Sequence, residues 1–317
     1  MACLPVSDEQ LERAAALLRT GGIVAFPTET VYGLGAVAFD GLAVARIFEI
    51  KARPRFDPLI VHVADRQQLA QCVIDVPPVA ERLIAAFWPG PLTLVLRKCE
   101  AIGSLLTGGL ATVAVRMPSH PVARALLERT GSPIAAPSAN PFGGLSPTRA
   151  EHVAAALGDR VDMILDGGPT EYGLESSIIL IEPTPTLLRH GAIPVEQIEA
   201  VIGPVQRDIP PGSATLAPGR LPHHYAPHTP LRLIAPERVP MQERTEAASL
   251  AFRRVQSGYR AALALSPSGD LRIAAAHLFD ALHRLDAAGA TRIDVEPVPE
   301  SGLGSAIMDR LTRGSAR

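Results

Sequence analysis

The sequence predicts an α/β protein in two parts. A twisted mixed-sheet domain over residues 1–203 is followed by a proline- and glycine-rich linker over 204–230, then a small parallel α/β domain over 231–317. Three observations predict this. Short Val/Ile/Leu runs interleave with helical periodicity through the first part, without regular β-α-β spacing. Pro204, Pro210, Pro211, Pro218, Pro222 and Pro227 then fall in a stretch with little apolar periodicity, the composition of an interdomain connection. Beyond it, strand and helix patterns alternate as in an open parallel sheet. At 317 residues, 47% hydrophobic and 4% aromatic, the chain has cores built of Leu, Ile, Val and Ala.

In chain order, Ser7 is placed to cap a helix over 7–20, where Leu11, Ala14, Ala15, Leu17 and Leu18 recur at helical spacing before Gly21-Gly22. Residues 23–26 are a short apolar strand and 27–35 a polar, glycine-bearing loop. A helix over 42–50 leads into Lys51-Ala52-Arg53-Pro54-Arg55, and 59–63 reads as a buried strand. Trp88-Pro89-Gly90-Pro91 breaks a helix over 77–87. Strands follow over 92–96 and 112–116, a helix over 121–130, a strand over 133–136 and a helix over 149–157. Strands over 163–166, 177–181 and 186–189 precede a helix and turn over 193–202. In the second part 231–234, 261–265 and 293–295 read as strands, 246–255 and 274–287 as helices between them, and 304–312 as a final helix. GxGxxG, GxxxxGK[ST] and GxSxG do not occur, which gives no support to a dinucleotide site, a P-loop or a serine hydrolase.

The formal net charge of -2 argues against a broad nucleic-acid binder but says nothing against one local anion pocket. Cys3, Cys72 and Cys99 are odd in number and form no CxxC, as expected in a reducing compartment without a zinc cluster. With no secretory pattern and no apolar run near 18 residues, the expected location is the cytoplasm, away from membranes.

Of 30 basic side chains only Lys51 and Lys98 are lysines. A lysine kept beside Arg53 and Arg55 suggests that a compact ammonium is wanted there. Three cations so close repel unless solvated or facing an anion, so the turn is either a surface turn or a phosphate site. Thr28, Glu29 and Thr30 follow a strand, as residues lining a polar ligand site do, or as an ordinary turn. His62 faces opposite to Val61 and Val63, as a structural histidine or a ligand contact. Alternation sets Thr112, Ala114 and Arg116 on one face, with Arg116 either an edge residue or a bidentate carboxylate ligand. Ser138 and Asn140 lie two apart in a proline-framed loop. Ser146 and Thr148 are placed to cap the helix from 149, whose N-terminus also suits an anion. Glu175-Ser176-Ser177 and Arg189-His190-Gly191 flank strands. His223, His224 and His228 lack the cysteine or spaced carboxylate that would complete a metal site. Tyr225 reads as an exposed linker residue able to fold over a ligand.

Taken together these segments resemble the YrdC/Sua5 threonylcarbamoyl-AMP synthase family. The likeness runs through Pro27-Thr28-Glu29-Thr30-Val31-Tyr32-Gly33-Leu34-Gly35, Lys51-Ala52-Arg53-Pro54 with Pro58-Leu59 and His62, and Trp88-Pro89-Gly90-Pro91-Leu92-Thr93. It continues through Val115-Arg116, Pro137-Ser138-Ala139-Asn140, Glu175-Ser176-Ser177 and Arg189-x-Gly191. Tyr225-Ala226-Pro227 and Gly302-Leu303-Gly304 with Ala306-Ile307-Met308-Asp309-Arg310-Leu311 extend it to the long, two-domain Sua5 form. The order and number of the motifs make it specific. Asp57, His190 and Phe142 depart from the commoner Asn, Pro and Ser, and Asp57 is expected to weaken local attraction for an anion.

The resemblance implies a YrdC-like domain followed by a Rossmann-like Sua5 domain. It implies a nucleotidyltransferase that joins L-threonine, bicarbonate or CO2, and ATP into threonylcarbamoyl-AMP and pyrophosphate, for t6A37 modification of ANN-decoding tRNAs. Lys51 and Arg55 would then meet the ATP phosphates, with Arg53 sharing the turn, and Lys51 and Arg53 would be catalytic. Arg116 would take the threonine carboxylate, and Thr28, Thr30, His62 and Ser176 would position threonine and its carbamate. Thr112, Ser138, Asn140, Ser146 and Arg189 would meet the nucleotide or order the pocket, and Tyr225 would bring the linker across it. Mg2+ would accompany ATP without a protein-built cage. The implied partner is the downstream tRNA threonylcarbamoyl-transfer machinery, without stable tRNA binding. An RNA-binding module without ATP turnover and a carbamoyl-transfer enzyme using the same pocket are the alternatives.

Overall fold

The computed structural model of the chain describes residues 4–207, 218–219 and 224–316. Cys3, His223 and much of the expected linker, including Pro210, Pro211 and Pro222, lie outside the described residues.

The first part begins with β1 (Leu4–Pro5) and α1 (Asp8–Arg19), where the Ser7 hydroxyl accepts from the Gln10 amide and so satisfies one free N–H of the first turn. Next come β2 (Val24–Phe26), β3 (Gly33–Val37), α2 (Gly41–Lys51), β4 (Ile60–His62), α3 (Arg66–Cys72), α4 (Pro78–Phe87) and β5 (Leu92–Arg97). Then follow α5 (Ser104–Thr107), β6 (Thr112–Arg116), α6 (Pro121–Thr130), β7 (Ile134–Ala135), α7 (Ala150–Leu157), β8 (Met163–Asp166), β9 (Ser177–Leu180), β10 (Thr186–Arg189) and α8 (Val195–Ile202). Among the described residues the strands form a ten-stranded sheet of order β1-β8-β2-β3-β7-β4-β6-β5-β9-β10. It is mixed, as expected: β4 and β6 are parallel, while β5 and β6 are antiparallel.

The two faces of the sheet are dressed differently, and this places the site. One face carries the main core, in which Leu34, Val61, Leu94 and Val115 pack under residues of α2 and α4. On the other face α1 and α6 cover only the β2–β8 side, through Leu11, Leu18, Leu126 and Leu127. Further along that face Ile60, Ala114, Ile178 and Leu188 form a small apolar floor. The parallel register pairs Ile60 with Ala114 and His62 with Arg116, so the two polar side chains stand side by side at the end of that floor.

Two expectations need correction here. The loop expected over 27–35 ends early, because Gly33 and Gly35 open β3, pairing with Phe26 and Val24. Glycine reads as a loop residue. At Gly35, however, a Cβ would lie 2.7 Å from the Phe26 ring, so the missing side chain permits close packing inside a strand. The short helices α3 and α5 fall in stretches for which the sequence sets no expectation.

The second part contains β11 (Leu231–Leu233), α9 (Met241–Arg244), β12 (Ala247–Ala251), β13 (Ala261–Ala264), α10 (Leu271–Asp286), β14 (Arg292–Val295) and α11 (Leu303–Ser315). The four strands are all parallel, in the order β11-β14-β12-β13, which is the predicted open α/β type. The helix expected over 246–255 is wrong, since this stretch holds β12, a central strand buried at every position. A short run of small apolar residues carries no period that separates a buried strand from a buried helix turn, and pairing on both edges decides for the strand. No helix among the described residues is long and apolar enough to cross a membrane.

Candidate active site

Ile60 of the apolar floor and the strand ends around it form a basin closed on one side by Pro218, Gly219, His224 and Tyr225, from the stretch expected as linker. Arg116, buried at the end of β6, donates from Nη1 to Thr30 Oγ1 at 2.8 Å, and its Nη2 lies 3.1 Å from His62 Nε2. Arginine only donates, so His62 Nε2 is the acceptor. Burial, then the neighbouring guanidinium, hold the His62 pKa well below its ordinary 6.5, so the ring is neutral near pH 7. Arg116 Nε makes no hydrogen bond, and Glu29 Oε1 lies 3.8 Å from Nη1. The Thr28 hydroxyl donates to the Val31 carbonyl at 2.6 Å and lies 2.8 Å from Thr30 Oγ1, which folds the loop over this arginine.

The Lys51 turn sends its three cations in three directions. Ala52 adopts φ 51°, a left-handed cap that turns the chain out of α2. Lys51, 1% exposed, sits behind the basin wall and donates to the carbonyls of Ser138, at 2.6 Å, and Asn140. Burial, reinforced by Arg53, pushes its pKa well below the usual lysine value. Arg53 does line the basin, held through its Nε to the Asp57 carbonyl at 3.0 Å and its Nη2 to the Pro58 carbonyl at 2.8 Å. Its ion pair with the Asp57 carboxylate measures 2.9 Å, so the departure from Asn adds a buried counter-charge to the turn. Arg55 is exposed to solvent outside the basin.

The loop after β7 contributes Ser138, which lines the basin and bridges to Gly33. Asn140 turns its Nδ2 to the Pro141 and Gly144 carbonyls at 3.0 and 2.9 Å, and so shapes its own loop. Ser146 donates to Glu175 Oε1, and the Thr148 amide donates to His152 Nδ1 at 3.3 Å. Neither hydroxyl caps α7, contrary to the sequence reading: the cap position is Arg149, and no side chain bonds there. Ser146 is drawn instead to a buried carboxylate, which accepts more strongly than a backbone site would donate.

Ser176 and Arg189 form the opposite wall. Arg189 donates from Nε and Nη2 to the Ser176 carbonyl at 3.1 and 3.0 Å, and from Nη1 to the Pro218 carbonyl at 3.2 Å. The Ser176 hydroxyl lies 2.7 Å from that of Thr93. Gly191 explains the spacing after Arg189: a Cβ there would lie 2.4 Å from the Glu175 carbonyl oxygen and the Ser177 nitrogen.

Tyr225 is buried, not exposed as the linker composition suggested. It is 1% exposed with φ 62°, a conformation that a bulky residue holds only where its surroundings fix it. Its ring lies 4.1 Å from His224 and 5.8 Å from Phe279 of α10, with the Arg310 guanidinium carbon 4.9 Å above it. Burial pushes its hydroxyl up to about 12. His224 packs here against Phe142, whereas His228 points outward to Asp286, so the two histidines do not converge.

The structure thus gathers Thr28, Thr30, Arg53, His62, Arg116, Ser138, Ser176, Arg189 and Tyr225 around one basin. Lys51, Asn140 and Ser146 support its walls from behind. Thr112 shares a strand face with Arg116 but lines a separate cavity with Asp75, Arg97 and Glu182. Sequence reasoning missed Arg310, whose signal was its place on the apolar stripe of α11 beside Ile307 and Leu311.

A pH prediction follows from the histidines. Burial lowers His62, His120, His152, His190, His224 and His283 below 6.5 in the native state, His152 to about 4. The unfolded chain therefore takes up protons that the native state refuses once the pH falls through 6.5. Stability is retained above that value and lost on acidification towards the folded values. Calorimetry should show Tm falling steadily below about pH 6.5, with a shallower fall in His62→Gln. A flat Tm over that window would count against buried neutral histidines.

Comparison with known proteins agrees with this architecture. A family model covering Sua5, YciO and YrdC proteins, described as "Telomere recombination", matches residues 16–191. A second, described as "Threonylcarbamoyl-AMP synthase, C-terminal domain", matches residues 193–316. The threonylcarbamoyl-AMP synthase of Bacillus subtilis is 45% identical over 98% of this chain and 94% of its own length. That of Pyrococcus abyssi is 43% identical over 98% of this chain and 95% of its own. The crystal structure of P. abyssi Sua5 complexed with L-threonine superposes with a TM-score of 0.91 at 40% identity, covering 99% of this chain and 98% of that one. With both parts of the chain matched in sequence and fold, the chain belongs to the YrdC/Sua5 family of threonylcarbamoyl-AMP synthases, in its two-domain form.

Proposed function

We propose that the protein joins L-threonine, bicarbonate or CO2, and ATP into threonylcarbamoyl-AMP and pyrophosphate. The observation that carries this reading is the buried Arg116–Thr30–His62 cluster, set beside the basin-lining Arg53 and Arg189. A planar guanidinium with an unpaired Nε suits a carboxylate, and the other two guanidiniums suit phosphate oxygens. The relative solved with L-threonine supports threonine as that carboxylate's owner. In this reading the catalytic part spans 1–203, the linker 204–230 covers the site, and the remainder forms the second domain.

The threonine amine, once neutral, adds to CO2 and loses a proton to give a carbamate. A carbamate oxygen then attacks the α-phosphorus of ATP, and pyrophosphate leaves. Arg116 orients threonine by its carboxylate, while Thr28, Thr30, neutral His62 and Ser176 hold the amine and carbamate without adding charge. Arg53 and Arg189 stabilise the negative charge on the phosphates as it shifts to the leaving group. Lys51, Asn140 and Ser146 act through the walls they hold, and Tyr225 packs the linker over the nucleotide. Arg55, exposed outside the basin, would reach the nucleotide only at its outer parts, and Thr112, in its separate cavity, would not contact it.

Mg2+ accompanies ATP as charge compensation. The basin does not fit a protein-built cage for it: the lining carboxylate Glu175 is already held by Ser146 and Arg310, and no three His, Cys, Asp or Glu side chains group among the described residues. The product would pass to the tRNA threonylcarbamoyl-transfer machinery for t6A37 formation in the cytoplasm. The net charge of -2 favours hand-over over stable tRNA binding.

The test is pyrophosphate release from ATP and bicarbonate with each amino acid in turn. Release that depends on both threonine and bicarbonate is expected. Release without threonine, or tight RNA binding with no turnover, would overturn the reading.

A further inference from the structure

The C-terminal domain meets the wall of the basin through Arg310, with Phe279 beside it on Tyr225 and His283 on the Ser146 carbonyl. Arg310, on α11, is 1% exposed although its helix belongs to the second sheet's layer. Its Nε donates to Glu175 Oε2 at 2.9 Å, its Nη1 to the His190 carbonyl at 2.7 Å and to Asp309 Oδ2 at 2.8 Å, and its guanidinium carbon lies 4.9 Å from the Tyr225 ring centroid. The other oxygen of Glu175 accepts from Ser146. One guanidinium therefore joins the segment before β9, the end of β10 with His190, and Tyr225. Those segments carry Ser176, Arg189 and Tyr225, all of which line the basin.

The approach is close elsewhere on this seam. At Gly314 of α11 a Cβ would lie 2.9 Å from the Tyr225 carbonyl oxygen, and at Gly173 a Cβ would lie 2.5 Å from the Ala276 carbonyl oxygen of α10. Arg310 Nη2 and the Tyr225 hydroxyl are buried without hydrogen-bond partners. Most buried donors in folded proteins are paired, so two left unpaired beside the basin wall call for an explanation beyond domain docking.

We infer that Arg310 is a positioning residue for the reaction, the point through which the second domain fixes the Glu175–Ser176 wall and Tyr225 in their working geometry. This rests on the activity proposed above. Arginine suits this place better than lysine, because its fork reaches Glu175 and the His190 carbonyl from separate nitrogens while its delocalised cation stays over an aromatic ring.

The test compares wild type with Arg310→Lys, Arg310→Met and the double variant Glu175→Gln/Arg310→Met, with rates expressed per folded molecule. Arg310→Met is expected to lower kcat roughly 30-fold or more, the scale of a small misplacement near the chemistry. Arg310→Lys should recover part of that loss. Arg310→Met alone leaves Glu175 buried and unpaired and is prone to unfold. The double variant removes both charges, folds, and should stay slow because the His190 and Tyr225 contacts are still missing.

Hydrogen exchange in the peptides spanning 175–178 and 189–192 gives a readout that needs no turnover, and it should quicken in Arg310→Lys and in the double variant. A folded variant with wild-type kcat and only a lower Tm would make Arg310 a structural anchor and overturn the inference, as would unchanged exchange. If wild type itself releases no pyrophosphate with threonine, the activity reading falls, and exchange alone then decides whether Arg310 fixes these segments.

Discussion

Lys51→Ala is expected to damage both stability and turnover. Its ammonium is buried against the carbonyls of Ser138 and Asn140. Removing it orphans the Asn140 carbonyl, while the Ser138 carbonyl keeps the Asn140 amide at 3.0 Å, and it opens a cavity beneath the wall; together these cost about 3–5 kcal/mol. In a chain this size Tm should fall by roughly 5–8 °C. Turnover per folded molecule should fall about 100-fold, because Ser138 loses the contact that sets its place in the basin. Lys51→Met, which keeps most of the volume, should restore part of the stability and little of the activity. Thermal denaturation beside steady-state kinetics separates the two effects. A Lys51→Ala protein with wild-type Tm would show that the ammonium does not hold this loop.

Arg116→Lys should give the second large effect, and a more selective one. The substitution keeps a cation near Glu29 but loses the fork that meets Thr30 and His62 at once. If Arg116 holds the threonine carboxylate, about 3 kcal/mol of binding is lost, close to 100-fold in the threonine KM. The KM for ATP should change far less. Kinetics at varied threonine and fixed ATP measure the split. Equal effects on both substrates would move the carboxylate site elsewhere in the basin.

Lys51 marks how far the chain could be read in advance. Its rarity and its arginine neighbours singled out the turn, and the surrounding motifs pointed to an anion-binding enzyme. The direction of each cation was not legible. Lys51 turns inward to two carbonyls, Arg53 lines the basin and Arg55 faces solvent, because Ala52 adopts a left-handed conformation and Asp57 captures Arg53. Tyr225 is similar: proline-rich composition implied an exposed residue, yet it is wedged between Phe279 and Arg310.

The sequence by itself determined the α/β class, the mixed first sheet, the parallel second sheet and the pool from which the basin is built. These follow from periodicity, cap residues and side-chain chemistry, which are local properties of the chain. Only tertiary structure decided that 247–251 is a central strand, that Gly33 and Gly35 open β3, that Ser146 serves Glu175 rather than a helix end, and that Arg310 binds Glu175 of the basin wall. Each depends on a partner outside its own turn of chain, from seven residues away at Gly33 to well over a hundred at Arg310. A glycine, a run of alanines or an arginine on a helix has no fate of its own until another element supplies the ring, the second edge or the buried carboxylate that fixes it.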